Sequence, residues 1–496
     1  MSVIDLNGIR DGAEDVLRIR TSAGILAASV MVVAPAAWPA PPAQAHDSSA
    51  PRFSVEHSFG NAPGDGWQPW GSPTLVNGRL WGRTTYGGSR SQGAVIWSMV
   101  PGKAKTYRVE HSFGGRAVEI GGGSVADVAN PHHDWLRVGP DGRTLYGAAL
   151  WGSDGGQGGV YSFDTLSHRY RVLHGFAGIG KTKPDGVADD GANPHSNAVP
   201  IQVVNAHGAK RTVLIGMTAA GGTGGNGSLY QMDLDGTHFR LLHSFVPEDG
   251  DVPHGFVIQV GNTIYGMTRL GGLTPAASAF ATPEDFSNYA EGNGVVFSYD
   301  LMRHTYRILH RFGYAGPLVQ PGSPGGVVDG AVPDHGGLVF SHNRLWGLTT
   351  QGGTNEGGVV FSLRLDGTGY TIHHTFGAPT QAGDLSQPHG TLMPGPDGML
   401  YALTSLGGAT ASGGVLRVNP SNGNYRVVYS FAGGAGGVDG IDNPVVTADG
   451  QGRIVLYGMT KLGGAVQSSL LPAPIAEDWK LPQPAEANGV IWRLVL

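Results

Sequence analysis

Short stretches in which polar and apolar residues alternate recur along this chain. The stretch 107–113 reads Tyr-Arg-Val-Glu-His-Ser-Phe, so that every second residue is aromatic, aliphatic or histidine and the residues between are polar. Because side chains of a β-strand alternate between its two faces, this period of two predicts strands with one buried face. No segment beyond the first 45 residues shows a helical period, so the pattern predicts an all-β protein.

Two strand-like elements occur seven times. The first ends in His-Ser-Phe or a variant, with spacings of 54 to 69 residues, at His57, His111, His174, His243, His310, His374 and, in the seventh copy, Tyr429. The second reads Leu-Tyr-Gly or a variant, and its middle residues are Trp81, Tyr146, Ile215, Tyr265, Trp346, Tyr401 and Tyr457. We expect the aromatic residues of this second element to fill the space between repeats, and its glycine to let a neighbouring ring approach the backbone.

Each repeat divides into four strand-like segments separated by turn residues. In the sixth repeat the predicted strands are 389–393, 399–405, 414–418 and 425–431, with Pro-Asp-Gly, Gly-Gly and Asn-Gly-Asn sequences between them. Four antiparallel strands repeated seven times predict a seven-bladed β-propeller.

One repeat is divided between the two ends of the chain. The last copy of the second element, at residues 456–460, is not followed by a His-Ser-Phe strand, whereas an isolated copy of that strand occurs at 53–59. A propeller must join its last blade to its first or leave two exposed sheet edges. We therefore expect residues 53–59 to form the outermost strand of the last blade.

The combination of Leu-Tyr-Gly-x-Thr, Gly-Gly, Val-Phe and His-Ser-Phe elements resembles the GloVer-type tandem repeat of secreted bacterial proteins. The resemblance covers nearly all of residues 53–496. It implies a propeller-like fold and a secreted address, and it implies no particular activity.

The first 45 residues differ in composition from the rest. Arg18 and Arg20 precede an apolar, alanine-rich stretch at 23–38, and 41–45 reads Pro-Pro-Ala-Gln-Ala, which is typical of a signal-peptide cleavage site. We expect a signal peptide at 1–45, a short linker at 46–52 and the propeller at 53–496, with a secreted or periplasmic location. The alternative is an uncleaved N-terminal anchor. After cleavage no segment is suited to span a membrane.

Charge and cysteine content narrow the function classes. The net charge is −6, and no run of lysines and arginines is present, so we expect no nucleic-acid partner. The chain has no cysteine, which excludes disulfides, thiolate metal sites and a cysteine nucleophile. We expect a monomer.

The segments that lead into the innermost strand of each repeat share a proline, and most place histidine after it. We call them lead-in segments, and they are centred on Pro69-Trp70, Pro131-His132, Pro194-His195, Pro253-His254, Pro333-Asp334-His335, Pro388-His389 and Pro444-Val445. In a propeller these segments surround one mouth of the central channel, where ligands usually bind. The histidines can bind a divalent metal such as zinc, act as a general base or hydrogen-bond an anionic sugar. The alternative is that Pro-His is a duplicated structural unit without a ligand.

Other polar residues have a weaker claim to function. The histidines of the closing strands share a face with core aromatic residues and are predicted to be structural, and adjacent pairs such as His132-His133 are predicted to point to opposite faces. An acidic residue precedes each lead-in segment, and it is either a turn residue or a carboxylate that lines the mouth. These residues are Asp65, Asp127, Asp190, Asp249, Asp329, Asp384 and Asp439. Two insertions, at 273–293 and 466–488, carry Phe286 and Trp479, which suit stacking on sugar rings.

These observations leave three hypotheses open. The first is a binding protein for a carbohydrate or a cell-surface ligand, which requires no cofactor and uses Trp70, Asp334, His335, Phe286 and Trp479. The second is a polysaccharide lyase or a glycoside hydrolase, with His132, His195, His254 or His389 as catalytic groups. A lyase would also have Arg83 and Arg269 near a uronate carboxylate, and a glycoside hydrolase would use two carboxylates of the acidic set. A metal, if one is bound, would be held by His132, His195 and His254. The third is a structural repeat protein without a small-molecule site.

Overall fold

Seven antiparallel β-sheets follow one another along the chain and form a seven-bladed β-propeller, which confirms the predicted fold. The computed structural model describes residues 50–89, 94–114, 127–178, 190–204, 208–272, 292–313, 329–378, 383–440, 442–464 and 488–496. The predicted signal peptide lies outside these residues. Among the residues described, none lies in a helix long and apolar enough to cross a membrane.

The first three blades are built from consecutive strands. After β1 (Arg52–Ser58), blade 1 and its flanking pair contain β2 (Gly66–Trp67), β3 (Thr74–Val76), β4 (Arg79–Arg83), β5 (Tyr86–Gly87), β6 (Val95–Val100) and β7 (Lys103–Ser112). Blade 2 contains β8 (Val128–Ala129), β9 (Arg137–Val138), β10 (Thr144–Ala149), β11 (Trp151–Gly152), β12 (Gly159–Asp164) and β13 (Tyr170–Gly175). Blade 3 contains β14 (Val199–Val204), β15 (Lys210–Thr218), β16 (Ser228–Asp233) and β17 (Arg240–Ser244).

The remaining blades follow the same order from the innermost strand outwards. Blade 4 contains β18 (Ile258–Val260), β19 (Thr263–Thr268), β20 (Val295–Asp300) and β21 (Thr305–Arg311), and blade 5 contains β22 (Val339–Ser341), β23 (Arg344–Thr349), β24 (Val359–Leu363) and β25 (Thr371–Thr375). Blade 6 contains β26 (Leu385–Pro388), β27 (Met393–Pro394), β28 (Leu400–Gly407), β29 (Gly414–Val418) and β30 (Tyr425–Ser430). A 3-10 turn at Gly434–Gly436 precedes β31 (Val438–Gly440), β32 (Val445–Ala448), β33 (Ile454–Leu462) and β34 (Val490–Val495) of blade 7.

Blade 7 is completed by β1, as the divided repeat predicted. β1 pairs antiparallel with β34, and Phe53 lies opposite Leu494 while Ser58 lies opposite Val490. The sheet order is therefore β1–β34–β33, followed by the inner strands β31 and β32. The N-terminal strand covers the edge that β34 would otherwise expose.

The hydrophobic core is divided among the boundaries between blades. Each of seven buried clusters joins two neighbouring blades, and the last one joins blade 7 to blade 1. In order around the ring these clusters contain Trp81 with Phe163, Tyr146 with Tyr230, Ile215 with Phe297, Tyr265 with Phe361, Trp346 with Leu416, Tyr401 with Trp492, and Tyr457 with Trp97. The predicted role of the second-strand aromatic residues as fillers between blades is confirmed.

The glycine after each of these residues makes room for a ring on the third strand. A Cβ atom at Gly147 would lie 2.2 Å from Cζ of Tyr161, and one at Gly458 would lie 2.3 Å from Cζ2 of Trp492. Blade 6 alone has alanine at this position, Ala402, and there the residue opposite is leucine, Leu416. Blade 6 therefore has alanine in place of glycine on β28 and leucine in place of an aromatic residue on β29.

The closing-strand histidines connect neighbouring blades, which confirms their structural role. Nε2 of His57 on β1 lies 3.1 Å from Oδ2 of Asp65, and the hydroxyl of Tyr107 in blade 1 donates to Oδ1 of Asp65 at 2.6 Å. The rings of His57 and Tyr107 stack with centroids 3.6 Å apart. The same His–Asp contact recurs in the pairs His174–Asp190, His243–Asp249, His310–Asp329 and His374–Asp384. These carboxylates contact outer strands and do not line the mouth.

The prediction that residues 389–393 form the first strand of the sixth repeat is wrong. The structure has strands on either side, Leu385–Pro388 and Met393–Pro394, with His389 in the connection between them. Gly390 in this connection has φ of 122°, which interrupts strand geometry, and a Cβ atom there would lie 2.4 Å from the carbonyl oxygen of Asp442. The chain leaves the sheet here because the lead-in segments of adjacent blades touch.

We expect the substitution Gly147→Ala to destabilise the protein by about 1–3 kcal/mol, because its methyl group would overlap the ring of Tyr161. Urea unfolding measures this loss. The matched control is Ala402→Gly, which removes a methyl group at the equivalent position of blade 6 and is expected to cost about 0.5–1 kcal/mol. In a Tyr161→Leu background, Gly147→Ala should cost less than in the native chain. An equal cost in both backgrounds would contradict this account of the glycine.

Candidate functional site

The lead-in segments share an unusual backbone conformation at the residue before proline. This residue has φ between 47° and 57° in six segments, at Gln68, Asn130, Asn193, Val252, Val332 and Gln387. A positive φ is unfavourable for a β-branched residue such as valine, and such strain persists only where surrounding structure enforces it.

Two backbone hydrogen bonds, one to the preceding blade and one within the same blade, enforce this conformation. The amide of Val332 donates to the carbonyl of Asn293 in blade 4 at 2.9 Å, and the amide of Thr350 in blade 5 donates to the carbonyl of Val332 at 3.0 Å. The same pair of bonds recurs at Gln68, Asn193 and Val252. The conformation directs the residues after proline towards those of the other blades.

Six histidines from five blades converge at this mouth. The rings of His133 and His335 stack with centroids 3.4 Å apart, and those of His195 and His254 stack at 3.9 Å. His335 also lies 5.0 Å from His254 and 5.5 Å from His389, and His132 lies 5.9 Å from His195. We call these six residues the histidine cluster. The convergence predicted for His132, His195, His254, His335 and His389 is present in the structure.

The cluster contains three groups of potential metal ligands. The ligand atoms of His195, His254 and His335 all lie within 4.8 Å of one another. The same limit holds within the group His132, His133 and His195 and within the group Asp334, His335 and His389. Because His195 and His335 each belong to two groups, the three groups form one continuous site.

Asp334 orients part of the cluster. Its Oδ1 lies 2.8 Å from Nδ1 of His254 and 3.3 Å from Nε2 of His335, and its Oδ2 lies 3.3 Å from Nε of Arg269. A hydrogen bond from Nδ1 to a carboxylate directs the lone pair of His254 to Nε2, which is the arrangement found around metal-binding histidines. Burial opposes ionisation of Asp334, but His335, His254 and Arg269 hold the pKa of its carboxyl group well below the usual range.

Burial favours the neutral form of four of the imidazoles. Burial, followed by repulsion from neighbouring cationic groups, lowers the pKa of His132, His133 and His195 well below the usual value. Burial also lowers the pKa of His335, although the carboxylate of Asp334 opposes this shift. His132 and His195 keep some contact with solvent, so their desolvation is less complete than that of His133 and His335. Neutral imidazole is the form that binds metals.

Several buried nitrogen atoms of the cluster lack a hydrogen-bond partner among the described residues. They are Nδ1 of His132, both ring nitrogens of His133, and Nδ1 of His195, His335 and His389. Most buried polar atoms in proteins are hydrogen-bonded, and exceptions often mark a functional site or a missing ligand. A purely structural Pro-His repeat would instead be expected to bond its imidazoles to backbone carbonyls.

A buried polar layer adjoins the cluster. Arg83 donates to Oδ1 of Asn197 at 2.8 Å and to the carbonyls of His132 and His133, so it fixes the backbone that carries these histidines. Arg137 donates to both carboxylate oxygens of Asp134 at 2.8 Å. Its guanidinium group also lies 3.6 Å from the ring centroid of Trp135.

The predicted site residues therefore divide into three sets. The histidines, Asp334 and Arg269 meet at the mouth, and Trp70 stacks on His132 with centroids 4.1 Å apart. Arg83 is buried and bonded to the scaffold, so a direct contact with a ligand, as the sequence suggested, is not supported. Phe286 and Trp479 lie outside the described residues.

The sequence analysis missed His133, Asp442 and Lys461. His133 was predicted to point away from His132, but this segment is not a strand, since φ is 45° at His133 and 64° at Asp134. Both rings consequently join the cluster. An alignment of the lead-in segments on their prolines contains the signal, because His133 and His335 occupy the same position, two residues after proline.

These features define a seven-bladed β-propeller with a histidine-lined channel mouth. The chain belongs to the Gloeobacter/Verrucomicrobia repeat family, whose sequence pattern matches residues 45–280, 123–322 and 286–471. The resemblance to GloVer-type repeats is thereby confirmed. No curated protein matches the chain by sequence.

Three solved structures illustrate the likeness in fold. The tricorn protease is 12% identical with a TM-score of 0.33, over 79% of this chain and 30% of that chain. The nidogen/laminin complex is 10% identical with a TM-score of 0.33, over 67% of this chain and 89% of that chain. TolB from Acinetobacter baumannii is 11% identical with a TM-score of 0.35, over 72% of this chain and 65% of that chain. At these identities the likeness concerns the fold alone.

Asp442 gives the mouth a pH-dependent stability. Burial and the nearby carboxylate of Asp134 raise the pKa of Asp442 to about 8. Between about pH 4 and pH 8 the folded protein therefore retains a proton that the unfolded chain loses, so this residue lowers stability progressively as the pH rises.

We expect Asp442→Asn to increase the free energy of unfolding at pH 8 by the order of a few kcal/mol, and to have little effect near pH 4. The amide keeps an oxygen that can accept from the amide of Asp134, as Oδ2 of Asp442 does at 3.2 Å. Urea unfolding at several pH values measures the difference, with the exposed Asp154→Asn as control. Parallel stability curves for Asp442→Asn and the native chain would refute the prediction.

Proposed function

We propose that this protein is a metal-binding β-propeller that holds a divalent transition-metal ion in the histidine cluster. The observation that carries the proposal is the group His195, His254 and His335, whose ligand atoms lie within 4.8 Å of one another. The three residues come from the lead-in segments of blades 3, 4 and 5.

The donor set decides the class of metal. Imidazole nitrogens and a single carboxylate suit zinc, copper, nickel or cobalt, whereas magnesium and calcium prefer oxygen ligands. Three histidines with a fourth position left for water or a ligand is a pattern of catalytic and ligand-binding zinc sites. Asp334 supports this use, because it bonds His254 on the ring edge remote from Nε2.

The neutral state of the rings supports the same conclusion. Six imidazoles packed at centroid distances of 3.4 to 6 Å would repel one another strongly if they were protonated. Because burial lowers the pKa of His132, His133, His195 and His335, these rings are neutral and have unpartnered nitrogen atoms that can accept a cation. Binding of a metal by His195, His254 and His335 would also link blades 3, 4 and 5.

Carbohydrate binding, a secreted or periplasmic location and an enzymatic role stay predictions. In a lyase, the metal would take over the neutralisation of a uronate carboxylate that the sequence assigned to Arg83 and Arg269. In a glycoside hydrolase, the acidic residues before the lead-in segments are unsuitable, because most of them bond to closing-strand histidines. The carboxylates beside the histidines are those of Asp334, which contacts His254, and Asp442, whose Oδ2 lies 3.9 Å from Nδ1 of His133.

Isothermal titration of chelator-treated protein with Zn²⁺, Ni²⁺ and Co²⁺ tests the proposal. We expect one tightly bound ion per chain, with affinity reduced at least 100-fold by His195→Ala or His254→Ala. Asp334→Asn should weaken binding about 10–100-fold, because it alters the orientation of a ligand rather than removing one. Saturation with metal at 100 times the dissociation constant should stabilise the fold by about 2.7 kcal/mol.

His238→Ala is the matched control, since His238 is an exposed histidine whose Nδ1 contacts Asp233. It should leave metal affinity unchanged. Equal metal affinity in the native chain and in the His195→Ala and His254→Ala variants would overturn the proposal. X-ray absorption of the cobalt form should show nitrogen and oxygen ligands only.

A further inference from the structure

The ring of histidines is open on one side. Blades 2 to 6 supply imidazoles, but the lead-in segment of blade 7 has Val445 after its proline and that of blade 1 has Trp70. A cleft of about 480 Å³ lies at this gap, lined by residues of blades 6 and 7 and by Trp70. Its volume falls within the range of small-molecule sites, about 300–1,000 Å³.

The cleft is continuous with the histidine cluster. His389 lines the cleft and also belongs to the ligand group that it forms with Asp334 and His335. A molecule bound in the cleft therefore lies against one of the groups suited to hold the metal. No other blade offers this approach among the described residues, since the lead-in segments of blades 2 to 5 contribute imidazoles that stack on one another.

Lys461 is a positive group at the wall of the cleft, which the carboxylate of Asp439 also lines. It is the repeat equivalent of Arg269, because each follows the threonine that ends the Tyr-Gly-Met-Thr element. Arg269 is paired with Asp334 at 3.3 Å, whereas Nζ of Lys461 lies 3.9 Å from Asp439, at the limit of an ion pair. Nζ of Lys461 also lies 3.7 Å from the ring centroid of Trp70, a cation–π contact that keeps it at the wall of the cleft.

The rest of the lining combines apolar and hydroxyl groups. Val438, Leu462 and Leu406 provide apolar surface, while Ser405, Ser412 and Gln387 provide polar groups. Oγ of Ser405 is buried and has no hydrogen-bond partner among the described residues. A sugar ring has the matching character, since its faces are apolar and its edge carries hydroxyl groups.

We propose that this cleft binds an acidic sugar, a pyranose ring that carries a carboxylate. The carboxylate would pair with Lys461 and face His389, whose ligand group shares His335 with the proposed metal site, so the inference rests on the proposed metal-binding function. The serine hydroxyls and Gln387 bond the ring hydroxyls, and Val438 and Leu462 contact the ring face. Trp70 supports Lys461 rather than stacking on the sugar, because His132 lies 4.1 Å from its ring and Lys461 lies 3.7 Å from it.

Titration of zinc-loaded protein with D-glucuronate and D-galacturonate, with glucose, galactose and acetate for comparison, tests this inference. We expect at least one uronate to bind at least tenfold more tightly than the matching neutral sugar and than acetate. Lys461→Met should weaken uronate binding at least tenfold and leave zinc affinity unchanged. Lys461→Arg should retain most of the binding, and Lys210→Met, a substitution remote from the cleft, should have no effect.

The outcomes separate this inference from the proposed function. Zinc binding without a preference for uronates over neutral sugars and acetate would overturn the acidic-sugar site and leave the metal site intact. Failure to bind zinc would overturn the proposed function, and it would also overturn the role of the metal in binding the sugar carboxylate. Equal uronate affinity in zinc-loaded and chelator-treated protein would show that the carboxylate does not contact the metal, and would also overturn the inference. Circular dichroism establishes that each variant is folded.

Discussion

The structure depends on the fact that each blade is apolar on both faces. All seven of the large buried clusters lie between two blades, so that no blade can bury its side chains alone. Each large side chain that lost its neighbouring blade would forfeit about 1.5–3 kcal/mol of burial. The ring must therefore close, and the pairing of β1 with β34 supplies the last sheet with its outer strand.

Most of this architecture was predictable, because it follows from local pattern repeated seven times. Alternation predicted the strands, the count of Tyr-Gly elements predicted the blades, and the isolated strand at 53–59 predicted the closure. The convergence of the Pro-His residues followed from the same symmetry, since equivalent positions of a propeller surround one axis.

The details of the mouth were not predictable in the same way, because they depend on contacts between distant segments. The positive φ of Val332 results from hydrogen bonds to blades 4 and 5, and a single valine gives no sign of it. The position of His133 follows from a turn that alternation misread as a strand. Arg83 occupies a position that is apolar in blades 4 and 6, at Met267 and Leu403, and only the structure shows the carbonyl groups that it bonds.

In the lead-in segments, different residues make the backbone hydrogen bonds and provide the side chains that line the mouth. The recurring pair of hydrogen bonds at the residue before proline uses only backbone atoms, and so it makes no demand on the side chain that follows proline. That position accordingly holds histidine, tryptophan, aspartate or valine within a single chain. The side chain after proline can therefore change without disturbing this pair of bonds, so a single backbone can present different chemical groups at the mouth.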